Sequence, residues 1–210
     1  GRLLAFRATA PDGQVRIQVR PLDSFAARPL SGTDGATYTF WSADSRFIGF
    51  VAQGRLKKID VTGGPAQTIA DGLGLGGSTW NRDGVIVTSR SLADVLYRVP
   101  AAGGTPAALT ELDRARGETG HMHPHFLPDG RHFLYLATSS QPENTAIYAA
   151  SLDAPKARKR ILTAASQVMY SAPGYLLFVR EGTLLAQRFD VDQLQTSGEP
   201  VPLAEQIGAS

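Results

Sequence analysis

With 210 residues, 42% of them hydrophobic and 19% charged, the chain has enough apolar surface for a folded core and no compositional bias toward disorder. A formal charge of +2 gives no basic face for nucleic acid, and no apolar run approaches the roughly 20 residues that cross a bilayer, so neither nucleic acid binding nor membrane insertion of this segment is expected. The absence of cysteine excludes disulfides, thiolate metal sites and cysteine nucleophiles.

Residues 2–6 read as the second strand of a hairpin whose turn ends at Gly1. After a turn at Pro11-Asp12-Gly13, Val15, Ile17 and Val19 alternate with polar neighbours at period two, the pattern of a strand with two unlike faces. Arg28-Pro29-Leu30 follows as a short outer strand, where proline is tolerated because an edge has unpaired backbone positions. Phe40-Trp41-Ser42-Ala43-Asp44-Ser45-Arg46-Phe47-Ile48-Gly49-Phe50 then reads as strand, tight turn, strand. Asp44 can cap the turn amides there, and Ser45 can take a left-handed or bridging conformation. Strands at 56–61 and 67–69 flank Gly63-Gly64, a pair suited to a loop that needs positive φ.

Gly72-Leu73-Gly74-Leu75-Gly76-Gly77 has the letters of a dinucleotide fingerprint, but a β-hairpin follows it instead of a helix, so an interblade loop is expected. The hairpin returns at Trp80-Asn81-Arg82-Asp83-Gly84, followed by strands at 96–99 and 107–110 around Gly103-Gly104. It returns again at Phe126-Leu127-Pro128-Asp129-Gly130-Arg131, with strands at 147–150 and 160–163, and more weakly at Ala172-Pro173-Gly174-Tyr175. The last copy continues with a strand at 184–189, a long loop from Asp190 to Gly198 and a short strand at 200–203.

Gly1, Ser45, Gly84, Gly130 and Gly174 recur at roughly 39–46 residues, the period of four-stranded propeller blades. The expected fold is therefore all-β: a β-propeller of four-stranded antiparallel blades at 1–36, 37–75, 76–118, 119–167 and 168–210, forming a single domain over 1–210. The first blade lacks an innermost strand and 207–210 is too short to replace it, so the five blades are expected to belong to a six-bladed or larger ring.

These repeats resemble the WD40-like Asp-Gly-Arg propeller repeat of TolB-like proteins, best at Pro128-Asp129-Gly130-Arg131. The segments Arg20-Pro21-Leu22-Asp23, 41–50, Leu56-Lys57-Lys58-Ile59-Asp60, 126–136 and Gly174-Tyr175-Leu176-Leu177-Phe178 further resemble the C-terminal propeller of acidobacterial-type bacterial serine/threonine protein kinases. That resemblance implies a sensing or docking propeller, periplasmic or otherwise extracytoplasmic. Ala43, Ser45 and Asn81-Arg82 depart from the usual corner, which affects turn rigidity rather than a site.

The chain has no Gly-rich loop with a strand lysine, no His-Arg-Asp loop, no Asp-Phe-Gly and no Gly-x-Ser-x-Gly. The cluster with most chemistry is His121-Met122-His123-Pro124-His125. Its spacing puts three imidazoles on one side of a strand, and they make a divalent metal site if a bend at Pro124 lets them converge. On a straight strand they lie about 7 Å apart, too far for one ion, and then His121, His123 and His125 line the channel or pack. Lys156-Ala157-Arg158-Lys159-Arg160 reads as a solvated hairpin face, and Trp41, Trp80, Phe126 and Phe133 as interblade core. The expectation is a non-catalytic module, without a cofactor, that binds a protein, a peptide or a small molecule. Its rivals are the gating propeller of a prolyl-oligopeptidase-like hydrolase and a TolB-like envelope interaction protein.

Overall fold

The computed structural model describes residues 2–10 and 12–207. The repeat position Gly1, the turn residue Pro11 and the terminal residues 208–210 considered for ring closure lie outside the described residues. The strands fall into five sheets, each a meander in which a strand pairs with the next in sequence. The first holds β1 (Leu3–Thr9), β2 (Val15–Pro21) and β3 (Arg28–Pro29). The second holds β4 (Thr37–Trp41), β5 (Phe47–Ala52), β6 (Arg55–Asp60) and β7 (Gln67–Asp71). The third holds β8 (Ser78–Trp80), β9 (Val85–Ser89), β10 (Leu96–Pro100) and β11 (Ala107–Ala108). The fourth holds β12 (Glu118–Phe126), β13 (His132–Ser139), β14 (Ala146–Ser151) and β15 (Lys159–Leu162). The fifth holds β16 (Val168–Ser171), β17 (Tyr175–Arg180), β18 (Thr183–Asp190) and β19 (Gln195–Ala204). Among the described residues there is no α-helix, only two 3-10 turns, and no helix is long and apolar enough to cross a membrane.

The repeated corner forms for the reason its residues suggest. The Asp44 carboxylate accepts from the Arg46 amide at 3.0 Å and the Ser42 hydroxyl at 2.6 Å, and Asp129 accepts from the amides of Arg131 and His132, both at 2.9 Å. The Asn81 amide oxygen does the same work in the third sheet, accepting from Asp83 and Val85. Each corner then closes through a left-handed residue: Ser45 at φ 58°, Gly84 at 76° and Gly130 at 71°. The paired glycines also sit at positive φ, with Gly63 at 109° and Gly64 at 108°.

The chain groups into two compact units, 1–90 with 98–107, and 91–97 with 108–210. The core of the first is a cluster around Ile17, Val19, Leu30, Ile48, Phe50 and Ile59. The core of the second gathers Leu134, Leu136, Ile147, Val168, Leu176 and Phe178. The second strands β5 and β13, one in each unit, are buried on both faces and read as continuous apolar runs, whereas burial alternates along β2 and β17. Phe133 is wholly buried, whereas Trp41, Trp80 and Phe126 are half-buried at the ends of their strands.

One expected element is corrected. The segment from Asp190 to Gly198 is not a long loop: β19 begins at Gln195, with Asp190 opposite Gln195, Phe189 opposite Thr196 and Arg188 opposite Ser197. A register shift between Ala186 and Arg188 absorbs the irregular Gly198-Glu199-Pro200 stretch, so the strand continues through residues that look like a turn.

Gly120 in β12 marks a tight approach. A Cβ there would stand 2.0 Å from the Leu92 carbonyl oxygen, a backbone atom that cannot rotate away. Gly120→Ala is expected to cost stability at the upper end of the about 1–3 kcal/mol typical of overpacking, read as a lowered urea midpoint at unchanged slope.

Candidate functional site

The loop into β12 builds the site. Asp113 caps the turn at Arg114–Arg116 by accepting from the amides of Ala115 (3.1 Å) and Arg116 (3.3 Å), and Gly117 ends it in a left-handed conformation. This short, capped turn delivers Glu118 to the start of β12 with its side chain folded inward and fully buried. An isolated buried carboxylate would be expensive, and Glu118 is not isolated. Its Oε2 accepts from the Asp113 amide at 2.8 Å, from Arg158 Nη1 at 3.0 Å and from the His121 ring at 3.1 Å. Its Oε1 has an ionic contact with Arg158 Nη2 at 2.8 Å, but no well-directed hydrogen bond.

The protonation states follow from these partners. Burial works against the Glu118 charge, yet Arg158, the Asp113 amide and His121 together hold its carboxyl below the ordinary value. Burial likewise opposes the charge on Arg158, but Glu118 and the Tyr135 hydroxyl keep it above its ordinary value. His121 is lowered, chiefly by burial, and is neutral at pH 7. A neutral imidazole beside an ionised Glu118 donates from Nε2, so Nδ1 is the acceptor, and it receives the Thr110 hydroxyl at 2.8 Å. Thr110 Oγ1 in turn accepts the Leu96 amide at 2.9 Å.

Aromatic rings complete the wall. Tyr135 on β13 stands opposite Tyr148 on β14, their rings stacked at 6.0 Å, and His121 meets Tyr135 edge-on at 4.8 Å. The Arg158 guanidinium lies 4.4 Å from the Tyr148 ring centroid. In front of this wall opens a cavity of about 210 Å³, lined by Thr110, Glu111, Asp113, Tyr135, Lys156 and Arg158, with Leu112 and Pro155 as its apolar part. Tyr135 is fully buried, and its hydroxyl has no hydrogen-bond partner in good geometry. Arg158 is close enough to act on it electrostatically, but burial dominates and pushes the phenol up to about 12, so the hydroxyl keeps its proton.

The structure separates the three candidate histidines. The register of β12 against β13 slips between Met122 and His125, and His123 at the slip adopts φ 52°. The slip breaks the alternation, so the same-side relation of the three rings is lost. His121 is tied to Thr110 and Glu118, while His125 hydrogen-bonds the Tyr170 backbone on the fifth sheet. Among the described residues no group of three or more His, Cys, Asp or Glu is placed to hold a metal ion. The bend expected of Pro124 is present at its neighbour. A left-handed non-glycine residue costs of order 1–3 kcal/mol, and a β-branched side chain tolerates it least. His123→Val should therefore lower stability by about 1–2 kcal/mol while His123→Asn stays near neutral, a contrast that thermal melting of the two variants would read.

Sequence reasoning missed Thr110, Asp113, Glu118, Tyr135 and Arg158 as a group. It also misplaced Arg158: Lys156 is exposed at the end of its side chain, as a solvated face requires, but the Arg158 side chain is only 17% exposed. A carboxylate three residues before His121, at the head of the strand that carries the histidine run, was the available signal, because a carboxylate buried there needs a cation from elsewhere in the chain.

Comparison with solved structures gives the fold. TolB from Acinetobacter baumannii aligns at a TM-score of 0.73 and 12% identity, over 97% of this chain and 52% of that one. The chain is an all-β, five-bladed propeller of antiparallel blade sheets, and its structural neighbours include TolB-like propellers. The β-propeller domain of the Trilobed protease from Pyrococcus furiosus aligns at 0.59 and 16% identity over 98% of this chain and 66% of that one. Puromycin hydrolase aligns at 0.63 and 16% identity over 89% and 36% respectively. The chain thus spans about half of that TolB and little over a third of the hydrolase. No family model and no curated protein matches the sequence.

Proposed function

We propose that this chain is a non-catalytic binding propeller whose ligand seat is the cavity between Tyr135, Arg158 and the loop at Thr110. The observation that carries this reading is the buried Tyr135 hydroxyl, which lines the cavity and has no acceptor for its proton in good geometry, beside the Arg158 guanidinium. A group of this kind costs free energy unless it is paired, and a ligand that accepts its proton would pair it. The order Thr110, His121, Glu118 has the outline of an acid–base relay, but its members lack the freedom that catalysis needs. The Thr110 hydroxyl is held between the Leu96 amide and His121, and the Glu118 charge is neutralised by Arg158.

On the finer level, the repeat's resemblance to kinase-associated propellers supports a role as the extracytoplasmic sensing region of a bacterial transmembrane serine/threonine kinase. The TolB-like neighbours support envelope docking of a protein or peptide. The neighbours from the Trilobed protease and puromycin hydrolase favour a second reading, a propeller that gates a hydrolase domain elsewhere in a longer protein. In each case this segment binds and does not react.

The test is to dialyse the purified chain against pooled small polar metabolites and short peptides, measure retained compounds by mass spectrometry and confirm each by calorimetry. Saturable binding with the compound recovered unchanged is the expected result. Conversion of a retained compound, abolished by Thr110→Val or His121→Gln, would make the relay catalytic and overturn the proposal.

A further inference from the structure

We infer that the cavity beside Tyr135 takes a free α-amino acid with a small or aliphatic side chain, held by its carboxylate and its ammonium group together. This rests on the proposed function and names the ligand class of the same site. The first ground is size. Drug-sized ligands occupy pockets of about 300–1,000 Å³. At about 210 Å³ this cavity has room for one small metabolite and not for a nucleotide or an oligosaccharide.

The second ground is charge. The lining carries two cations, Arg158 and Lys156, and two carboxylates, Glu111 and Asp113. A simple anion would meet both carboxylates, and a simple amine would meet both cations. A zwitterion is the small ligand that leaves neither pair opposed.

The third ground is the direction in which the ligand must lie. Tyr135 presents a protonated hydroxyl with no acceptor at the buried end, beside Arg158. Arg158 spends N–H contacts on Glu118 Oε1, Glu118 Oε2 and Asp113 Oδ2 and a fourth on the Tyr135 oxygen, which leaves one of the five guanidinium N–H groups and the Tyr135 proton as donors. Phenol and guanidinium are donors that a carboxylate satisfies, so the carboxylate end sits inward. At the mouth, Glu111 and Lys156 pair at 2.9 Å with side chains 72% and 81% exposed. Such a pair is worth little in water, so Glu111 can turn to an incoming ammonium group at small cost. Leu112 and Pro155 supply the apolar contact that favours an aliphatic side chain over a charged one.

The experiment is calorimetric titration of the purified chain at pH 7 with glycine, L-alanine, L-valine and L-leucine, each beside its N-acetyl derivative and its carboxamide. At least one free amino acid should bind saturably. Loss of either charge in the derivatives should weaken binding by about tenfold or more. Tyr135→Phe and Glu111→Gln should each weaken the parent compound by about tenfold. Tyr135→Phe should melt close to the wild type, because the contact it loses with Arg158 is poorly directed and the buried hydroxyl it removes has no acceptor for its proton. An N-acetyl derivative that binds as well as its parent would make this an anion site, leaving the proposed function standing and sinking the amino acid assignment. If none of the four binds at millimolar concentration, while another compound binds and is displaced by Tyr135→Phe, the outcome is the same. Binding of any compound indifferent to Tyr135→Phe would place the ligand elsewhere and overturn both.

Discussion

Arg158→Gln is expected to cost about 3–5 kcal/mol of folding stability, because it strands the Glu118 carboxylate in a fully buried position. In the folded protein the guanidinium meets both Glu118 oxygens, at 2.8 and 3.0 Å, and Asp113 at 3.4 Å. The Asp113 amide and the His121 N–H remain after the substitution, but they offer two dipoles where a full charge was. Glu118 must then take up a proton or admit water, and either change loosens the start of β12. The double variant Glu118→Gln/Arg158→Gln removes both charges and should recover most of the loss, since the desolvation of an unpaired ion is the dominant cost and not the absence of attraction. An exposed pair gives the contrast: Arg46→Gln breaks a 3.0 Å contact with Asp60, the Arg46 side chain being 67% exposed, and should leave the urea midpoint close to that of the wild type. Urea midpoints of the four proteins decide the matter. A single Arg158 variant within about 1 kcal/mol of wild type would mean that Glu118 is not held as a buried ion.

The architecture was readable because its determinants are local and repeated. Asp44, Asn81 and Asp129 each cap amides two to four residues away, and the left-handed residue that follows is Ser45, Gly84 or Gly130, so one corner explains three sheets. The strand β19 escaped because Gly198, Pro200 and Pro202 are turn residues by composition, while an outermost strand pairs on one side only and tolerates proline on the other. The site was not readable for the opposite reason. Thr110, Glu118, Tyr135 and Arg158 come from a loop, two strands and a second loop, at spacings that belong to no motif, and only folding makes them neighbours. The histidine run drew attention because it is compact in sequence. Its geometry was decided by something alternation does not encode, the slip at His123 that sends His121 toward Glu118 and His125 toward Tyr170.

That same run makes stability depend on mild acid. His121, His123 and His125 are each held below the ordinary histidine value, and for each the largest cause is burial, which disfavours the charged ring. For His121 Glu118 pulls the other way without reversing the shift, and for His125 the Tyr170 backbone does so. In the unfolded chain these rings protonate near pH 6.5. Below that pH the unfolded state holds more protons than the folded one, so their contribution to stability is complete above about pH 6.5 and is lost as pH falls through it. If all three stay neutral in the fold, unfolding takes up three protons, a slope approaching about 4 kcal/mol per pH unit at its steepest. Glu118 adds to the loss only at lower pH, since a lowered carboxyl loses its contribution below the ordinary carboxylate value of about 4.3. The window from about pH 6.5 to 5 therefore isolates the histidines. Urea unfolding across that window should show stability falling with acid, and His123→Asn and His125→Gln should each make the slope shallower. A midpoint that does not move between pH 7 and 5.5 would mean that the rings protonate as readily in the fold as outside it, and that β12 is open to water at its histidines.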